Sequence, residues 1–329
     1  MIILTGAAGF ISSYVLAELN AQGREDIVLV DAFTDAAGNP VYPSKLANFT
    51  NKGFAKAMNR GSFFEEFAAN PFSVSAIIHL GAKTDTTLFD EEVFNDLNLS
   101  YSQKMWQLAV ALQVPFIYAS SAATYGNGEH GYQDDIKKID ALQPLNPYGW
   151  SKQHFDQWVL QQPQQPPFWA GLKFFNVYGP NEYHKGRMAS VIFHAFKQIK
   201  ENGQVKLFKS HHPDYRDGEQ LRDFVYVKDV ARIILFLLEK KPKSSIYNLG
   251  SGKARTFKAL VEAIFDTLDL EPKIEFVDTP LDIRDKYQYF TEADMQKMWD
   301  AGYSQPLHSL EEGVADYVRN FLNQGFKTH

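Results

Sequence analysis

The sequence has no cysteine among its 329 residues. That absence excludes a disulfide framework, a catalytic thiolate and a zinc site with thiolate ligands. The nine histidines are scattered, and the adjacent residues His211 and His212 cannot face one metal ion together on a helix or a strand. The sequence therefore predicts that no metal is bound, with a site of histidines and carboxylates as the less favoured alternative.

The sequence also has no excess of basic residues and no long apolar run. The formal net charge is −6 at pH 7, whereas a nucleic-acid binder needs a basic face. Residues 1–6 lack the charged region of a signal peptide, and the apolar run at residues 233–238 is too short to cross a bilayer. We expect a cytoplasmic protein with no nucleic acid and no membrane among its partners.

Aromatic residues are plentiful, at 14% of the chain, and they supply apolar area for a large core. In the first half, short apolar runs alternate with helical patterns. These features predict strands at residues 2–5, 27–30, 76–80, 116–118 and 171–175, and helices at residues 9–21, 62–69, 91–112 and 146–161. The alternation is typical of an α/β fold of the Rossmann type, with a doubly wound parallel sheet and helices on both faces.

The second half shows mainly helical patterns, at residues 188–201, 230–239, 257–268, 291–299 and 310–322. Ser62 with Glu65, and Ser309 with Glu312, have the spacing of a capping box at a helix start. We predict a dinucleotide-binding domain over residues 1–175, with part of 224–250. A smaller, mostly helical C-terminal substrate domain is predicted over residues 176–223 and 251–329.

A glycine-rich turn follows the first predicted strand. Gly6 permits a tight turn, and Gly9 lets the backbone approach a pyrophosphate. Phe10 and Ile11 begin a helix whose N-terminus favours anions. This order of strand, turn and helix indicates a dinucleotide-binding motif. Ser12 occupies the place of a third glycine, so we expect a slight displacement of the helix rather than a loss of binding.

Asp31 ends the second predicted strand, where a carboxylate accepts hydrogen bonds from an adenosine ribose. That carboxylate favours NAD over NADP, because it repels a 2′-phosphate. The residues leave the choice of cofactor open, since Lys45, Lys52 or Arg60 can fold back onto such a phosphate.

Tyr148 and Lys152 form a Tyr-x-x-x-Lys pattern, which places both side chains on one helix face. The Lys152 ammonium can lower the pKa of Tyr148 and bind the nicotinamide ribose, so that the tyrosine becomes a usable acid or base. Ser121 follows a strand and lies at the sheet edge where ligands bind in open α/β folds. We predict that Ser121 hydrogen-bonds a substrate oxygen beside Tyr148.

These motifs together resemble the extended short-chain dehydrogenase/reductase family, and the resemblance covers essentially the whole chain. The family pattern also includes the segment Leu80-Gly81-Ala82 and Asn98. The resemblance implies a nicotinamide cofactor that contacts Gly6, Gly9, Phe10, Ile11, Asp31, Ala32, Leu80, Gly81, Ala82, Asn98, Tyr148, Lys152, Val177 and Lys185.

The second half is similar to one group of that family, the ADP-glyceromanno-heptose 6-epimerases. The similarity lies in residues 174–190, 207–208, 222–227, 247–252 and 287–291. It implies an ADP-heptose substrate, tightly bound NADP, a homo-oligomer and a product used for the lipopolysaccharide core. The side chains implied to contact the substrate are Ser121, Asn176, Arg187, His194, Phe208, Lys209, Ser210, His211, Arg222 and Tyr287.

The chain departs from that group in two places. Arg187 stands where serine is frequent, and residues 212–220 form an additional stretch before Arg222. Both arginines suit the oxygens of a pyrophosphate. Contacts to the ADP end are therefore the part of the resemblance that carries over least directly.

The implied reaction gives Lys185 a role. The heptose C6 has no adjacent carbonyl, so direct removal of its proton is prohibitive, whereas removal of a hydride gives a 6-keto intermediate. Return of the hydride to the opposite face of this intermediate inverts C6. The intermediate has to turn before this step, so its C6 oxygen need not lie against the same acid/base group in both steps. The resemblance implies Tyr148 and Lys185 as the two acid/base groups, in an order that the sequence leaves open.

Other functions of this fold remain as alternatives. A UDP-hexose 4-epimerase needs Tyr148 but does not require Lys185. A 4,6-dehydratase usually has an acidic residue beside Ser121, where this chain has Ala122-Ala123-Thr124. A non-catalytic dinucleotide-binding protein is the remaining alternative, and it is disfavoured because such proteins commonly lose the tyrosine or the lysine.

Overall fold

The computed structural model describes residues 1–35, 37–41, 43–86, 88–284 and 287–329. In chain order, the strands are β1 (Ile2–Thr5), β2 (Ile27–Asp31), β3 (Lys56–Asn59), β4 (Ala76–His79), β5 (Phe116–Ser121), β6 (Trp169–Phe174), β7 (Asn176–Tyr178), β8 (Val205–Phe208), β9 (Leu221–Tyr226), β10 (Ser245–Leu249), β11 (Ala254–Thr256) and β12 (Ile274–Val277). The α-helices are α1 (Phe10–Ala21), α2 (Phe63–Ala69), α3 (Glu91–Phe94), α4 (Tyr101–Leu112), α5 (Pro147–Leu160), α6 (Val191–Asn202), α7 (Val227–Lys240), α8 (Phe257–Thr267), α9 (Leu281–Arg284), α10 (Gln296–Asp300) and α11 (Leu310–Asn320).

Seven strands form one sheet in the order β10-β6-β5-β4-β1-β2-β3. All of its neighbouring strands pair in parallel. This strand order and the flanking helices confirm the predicted Rossmann-type α/β fold. The strand order reverses between β1 and β4, so the carboxyl ends of these two strands border a crevice.

The inner strands of the large sheet are buried on both faces because most of their residues are apolar. In β1, Ile2 and Leu4 belong to one apolar layer, and Ile3 belongs to the layer on the opposite face. Helices α1 and α7 pack together on the first layer. Trp106 on α4 and Phe155 on α5 lie in the second. Helices on both faces thereby hold the carboxyl ends of the strands in fixed positions.

The second half contains more strand than its sequence pattern predicts. A three-stranded sheet has the order β11-β9-β7, and β12 pairs with β8. The predicted helix at residues 291–299 is mostly wrong, since α10 begins only at Gln296. The N–H groups of Thr291 and Ala293 bond to the Leu221 carbonyl and the Asp223 carboxylate, so this segment runs beside β9 instead. β10 returns to the large sheet, and the domain bounds stay a prediction.

The two predicted capping boxes have different outcomes. At α11, Ser309 Oγ accepts a hydrogen bond from Glu312 N at 3.2 Å, and Glu312 Oε2 accepts one from Ser309 N at 2.8 Å, which confirms the box. At α2, Ser62 already has helical backbone angles and bonds to the Glu66 side chain. The box of Ser62 and Glu65 is therefore wrong, because a capping serine needs extended backbone.

Within the described ranges, no helix has the length and apolar character needed to span a bilayer. The same residues contain no group of three or more histidine, aspartate or glutamate side chains arranged to hold a metal ion.

Candidate active site

A cleft of about 400 Å³ lies at the carboxyl ends of β1, β2 and β4. It occupies the crevice where the strand order reverses, which is the usual ligand site of open α/β sheets. Its lining contains the predicted cofactor residues Gly6, Gly9, Phe10, Ile11, Asp31, Ala32, Leu80, Gly81, Ala82 and Lys185. The structure thus brings together ten residues that come from three strand ends and one distant segment.

The turn after β1 approaches the end of β4 so closely that side chains are excluded on both sides. Gly6 has φ +64°, and a Cβ at this position would lie 2.6 Å from the Cα of Gly81. A Cβ on Gly81 would lie 2.9 Å from the Gly6 nitrogen. Neither position can therefore hold a residue with a side chain, because a Cβ at one would clash with the backbone of the other. The floor of the cleft is thus formed by backbone atoms alone.

Helix α1 begins directly at this floor. Gly9 is its N-cap and has no side chain to occupy the first-turn N–H groups, which point out of a helix N-terminus. Ser12, in the place of the third glycine, is buried and donates a hydrogen bond to the Thr5 carbonyl at 3.0 Å. Its hydroxyl therefore bonds the end of β1, which accounts for a serine at the contact between helix and sheet.

Asp31 has a structural task in addition to the predicted one. Its Oδ2 accepts a hydrogen bond from Ala8 N at 3.0 Å, and its Oδ1 accepts one from Ala32 N at 2.7 Å. The carboxylate thus ties the glycine turn to the end of β2. Lys45 and Arg60 line the same cleft, whereas Lys52 donates to the carbonyl of His329. Of the three cations considered from the sequence, Lys45 and Arg60 accordingly share this cleft with Asp31.

Tyr148 lies at the start of α5, which begins with Asn146 as its N-cap and Pro147 in its first turn. The Ser121 side chain lies near the Tyr148 phenol. The expected hydrogen bond from Ser121 to a substrate oxygen stays a prediction. Burial raises the pKa of Tyr148, and the nearby Ser121 hydroxyl lowers it. Ser121 Oγ also accepts a hydrogen bond from Ala123 N at 3.1 Å, which fixes its orientation.

Lys152 lies one turn further along α5 and is buried. Its Nζ donates to the Ala119 carbonyl at 2.8 Å, and burial lowers its pKa to about 8. The expected lowering of the Tyr148 pKa by Lys152 is not found, because burial of the phenol is the larger effect and the buried lysine is itself more readily neutral.

A buried ion pair lies beneath these residues, one more turn along α5. Asp156 Oδ2 is 2.8 Å from Lys173 Nζ, and neither side chain has more than 2% of its surface exposed. Asp156 also accepts hydrogen bonds from Tyr118 and Ser120, at 2.9 and 2.6 Å. Lys173 in turn donates to Thr124 at 2.6 Å. The pair thus anchors β5 on both sides of the segment that carries Ser121.

The long helix predicted at residues 91–112 is interrupted. Its middle, Asn95–Ser100, is π-helical, and such segments occur frequently at functional sites. It contains Asn98, a buried residue whose amide accepts from Lys83 N at 2.8 Å and donates to Lys83 O and Ser151 Oγ at 3.0 Å each. Ser151 donates to the Tyr148 carbonyl at 2.7 Å. Asn98 therefore links the segment after β4 to the helix of Tyr148, and a contact with the cofactor stays a prediction.

A chain of buried polar groups connects the glycine turn to this π-helical segment. Gly81 N donates to Thr5 Oγ1 at 3.1 Å, and Thr5 Oγ1 lies 2.7 Å from His79 Nδ1. His79 Nε2 is 2.9 Å from Ser102 Oγ, which donates to the Asn98 carbonyl. Every member is paired if His79 is neutral with its proton on Nε2. Burial supports this state, since it lowers the pKa of His79 to about 3.

We expect His79 to make folding sensitive to acid. The unfolded chain binds a proton at this histidine below about pH 6.5, whereas the folded chain does so only near pH 3. The free energy of unfolding therefore falls as the pH is lowered through this window. In urea unfolding at pH 7 and pH 5, His79→Gln should reduce the loss of stability by about 2 kcal/mol relative to the parent protein.

Ser102→Ala is the matched control for this prediction. It removes one hydrogen bond of His79 and keeps the titratable ring, so it should lower stability at both pH values and retain the pH dependence. Equal pH dependence of His79→Gln and the parent protein would contradict the assignment.

Lys185 reaches the cleft from the 3-10 segment Tyr183–Met188, outside the large sheet. Its Nζ lies 5.8 Å from the centre of the Phe10 ring. Burial lowers the pKa of Lys185, the Glu182 carboxylate raises it, and Lys45 lowers it. A lysine in these surroundings loses its proton more readily than a solvated one, as a general base requires.

The predicted substrate residues divide into two sets. Phe208, Arg222 and Tyr287 come together: the rings of Phe208 and Tyr287 are 6.5 Å apart, and the Arg222 guanidinium lies 5.3 Å from the Tyr287 ring. Arg222 is buried and already donates to the carbonyls of Leu221 and Gln288. Part of its donor capacity is thus used within the protein.

The other predicted substrate residues lie around that set or apart from it. Lys209 is 3.2 Å from Asp278, and His211 Nε2 accepts from Thr279 N at 3.2 Å. Ser210 N donates to Asp217 at 2.8 Å. Asn176 and Arg187 are exposed, while Val177 and His194 are half-buried. Their contacts to a ligand stay predictions.

Several cleft residues escape the sequence patterns. They are Ser44, Lys83, Thr84, Asp85, Leu97, Tyr101, His184 and Met188. A usable signal existed for residues 83–85, because residues that follow a parallel strand lie at the same sheet edge as the Leu80-Gly81-Ala82 segment. Leu97 and Tyr101 depend on the π-helical turn, for which the sequence shows no pattern.

The fold and the cleft together define an NAD(P)-dependent enzyme of the Rossmann type. The NAD dependent epimerase/dehydratase family model matches residues 2–250. The chain belongs to this family.

Similarity to individual members narrows the comparison. A protein of Fusobacterium nucleatum subsp. nucleatum described as ADP-L-glycero-D-manno-heptose-6-epimerase is 46% identical, with 98% of each chain covered. The crystal structure of the Helicobacter pylori ADP-L-glycero-D-manno-heptose-6-epimerase matches with a TM-score of 0.79 at 28% identity, over 97% of this chain and 95% of that one. A UDP-N-acetylglucosamine 4-epimerase from Methanobrevibacter ruminantium matches with a TM-score of 0.80 at 20% identity, over 98% of each chain, which shows the fold alone.

Proposed function

We propose that the protein interconverts ADP-D-glycero-D-manno-heptose and ADP-L-glycero-D-manno-heptose by inverting C6. The observation that carries this proposal is the position of Lys185. It lines the dinucleotide cleft from a segment outside the sheet. Lys185 is thus separate from the group formed by Tyr148, Ser121 and Lys152 on α5 and β5. A 4-epimerase needs only Tyr148 with Ser121 and Lys152. Inversion of C6, in which the sugar turns between the two hydride transfers, uses one proton-transfer group in each orientation. The heptose epimerases that resemble this chain support the same substrate.

The cleft suits a nicotinamide dinucleotide. Its floor of Gly6 and Gly81 has no room for side chains, and the N-terminus of α1 offers N–H groups to a pyrophosphate. A nicotinamide held in this cleft would supply hydride transfer from C6 and back to it. Lys152, buried beside the Ala119 carbonyl, is placed to hold the ribose of that cofactor.

The protein's own residues then handle the proton of the C6 oxygen. In one orientation of the sugar, Tyr148 exchanges this proton, and the nearby Ser121 hydroxyl lowers the pKa of the phenol. In the other orientation Lys185 exchanges it, and burial favours release of its proton by lowering its pKa. The 6-keto intermediate stays in the pocket between the two steps.

We infer that the cofactor is NADP. The Asp31 carboxylate is engaged by the N–H groups of Ala8 and Ala32, which offsets part of its repulsion of a phosphate. Lys45 and Arg60 line the cleft beside it and provide positive charge. A guanidinium and an ammonium at this position favour a 2′-phosphate over a free ribose hydroxyl.

Arg60→Ala should weaken NADP binding about tenfold and NAD binding by less than about threefold, because only NADP loses a charge-assisted hydrogen bond. Kd values for both nucleotides are measured by calorimetry on protein freed of cofactor. Lys56→Ala is the control, because Lys56 on β3 is also a cation but its ammonium lies over the Phe72 ring and does not line the cleft. An equal loss for the two nucleotides would contradict a 2′-phosphate contact.

The proposed reaction is tested with purified protein and ADP-D-glycero-D-manno-heptose, without added cofactor. NMR follows the configuration at C6. We expect a mixture of the two epimers from either starting epimer, with no deuterium at C6 in D₂O, because the hydride never leaves the site. Deuterium at C6 would contradict the oxidation route.

Absence of turnover with NAD or NADP supplied would overturn the heptose substrate and favour a UDP-hexose, which is assayed next as UDP-glucose and UDP-galactose. Denaturing the purified protein and identifying the released nucleotide tests tight binding. The cytoplasmic location, expected from the sequence, and the homo-oligomeric state, implied by the family resemblance, stay predictions.

A further inference from the structure

The segment that carries Lys185 is an irregular turn. It follows β7 and precedes α6, and its 3-10 part is broken at Gly186, where φ is 53°. A catalytic group on such a turn is useful only if the turn is held in one place. The residues that hold it are therefore part of the catalytic design.

Glu182 joins the two ends of this turn. Its carboxylate is buried, and Oε1 accepts hydrogen bonds from Gly179 N at 3.4 Å and from Ser190 Oγ at 2.7 Å. Oε2 accepts from Ser190 N at 2.6 Å. One carboxylate thus binds the residue that precedes the turn and the residue that begins α6.

Glu182 is also the acidic neighbour of Lys185. The Lys185 N–H donates to the Glu182 carbonyl at 2.9 Å, one turn away along the segment. The carboxylate raises the pKa of Lys185, against burial and Lys45, which lower it. The other titratable groups near the two residues, within the described part of the chain, are Tyr183 and His184 on the same segment and Tyr317 on α11.

We propose that Glu182 is the positioning residue of Lys185: its buried carboxylate closes the turn that carries the lysine and supplies a negative charge near it. This inference rests on the proposed function, in which Lys185 exchanges a proton with substrate.

A purely structural role does not account for the charge. The turn has other anchors, since Asn181 donates to Ser13 Oγ at 3.0 Å and Tyr183 donates to the Lys327 carbonyl at 2.7 Å. Burying a carboxylate is costly, and burial raises the pKa of Glu182 accordingly. A neutral amide could accept the same N–H groups in part, so the negative charge itself has a task.

The test measures the pKa of Lys185 directly. Trace acetic anhydride labels amines in competition over a range of pH, and mass spectrometry of the peptide with Lys185 gives its titration without any substrate. Glu182→Gln should shift the pKa of Lys185 downward by about one unit, because it removes an opposite charge. Glu182→Asp keeps the negative charge, so the pKa of Lys185 should shift by less than about half as much as in Glu182→Gln. Ser190→Ala, which removes one hydrogen bond and no charge, should not move the pKa.

Activity is measured on the same variants with ADP-heptose. Glu182→Gln and Glu182→Asp should both lower kcat about tenfold or more with KM changed less than threefold, because the turn loses its closure. An unchanged Lys185 pKa together with an unchanged kcat in Glu182→Gln would overturn the proposal. If that variant does not fold, a full kcat in Glu182→Asp overturns it. Inactivity of the parent protein would instead overturn the proposed function, and the labelling result would stand apart from it.

Discussion

Tyr148→Phe is expected to lower kcat for epimerisation by about 10²–10⁴-fold, the usual contribution of a positioned acid or base. The substitution removes only the phenol oxygen, which lies near Ser121, and leaves the ring on α5. Cofactor binding should therefore change by less than about threefold. Single-turnover assays of C6 inversion give the rate, and calorimetry gives the Kd for NADP.

Tyr247→Phe is the matched control, since its hydroxyl bonds the Lys243 carbonyl away from the cleft. Lys185→Ala should cause a loss of similar size to that of Tyr148→Phe if two groups share the proton transfers. Near-native turnover in Lys185→Ala with an inactive Tyr148→Phe would establish a mechanism with one acid/base group.

Asp156→Ala is expected to lower the free energy of unfolding by about 3–5 kcal/mol, because it leaves the Lys173 ammonium buried and unpaired. The hydroxyl groups of Tyr118 and Ser120 also lose their acceptor. Urea unfolding at neutral pH measures the effect. We also expect lower activity in the folded fraction, since these contacts hold the strand that carries Ser121.

A second substitution separates the charge from the lost contacts. Asp156→Ala with Lys173→Met removes the unpaired charge and should recover at least about 2 kcal/mol relative to Asp156→Ala alone. Additive effects of the two substitutions would show that the ion pair does not couple Asp156 to Lys173.

The sequence was informative where one local motif determines the geometry. Gly6 lies in a turn that admits only glycine, and Tyr148 and Lys152 share a helix face by spacing alone. Five of the seven strands of the large sheet were recognisable from short apolar runs, whereas β3 and β10 were not predicted as strands. The predicted fold is therefore confirmed, and the cleft contains most of the predicted cofactor residues.

What escaped prediction depends on contacts between distant segments. The π-helical turn at Asn95–Ser100 has no sequence signature, and its Asn98 meets Lys83 and Ser151 only in the fold. The segment around Thr291 has a helical pattern but bonds to β9 instead. Lys45 and Arg60 reach Asp31 through loops whose course a pattern does not reveal.

The strand order has a consequence for synthesis of the protein on the ribosome. β6 ends at Phe174, whereas its outer neighbour β10 begins only at Ser245. Because translation adds about 5–20 residues per second, one edge of β6 stays unpaired for several seconds after β6 has been synthesised. A strand in this condition pairs readily with other chains. Messages that terminate translation between these two strands should therefore yield aggregating fragments, and slow decoding in this interval should lower the yield of native enzyme.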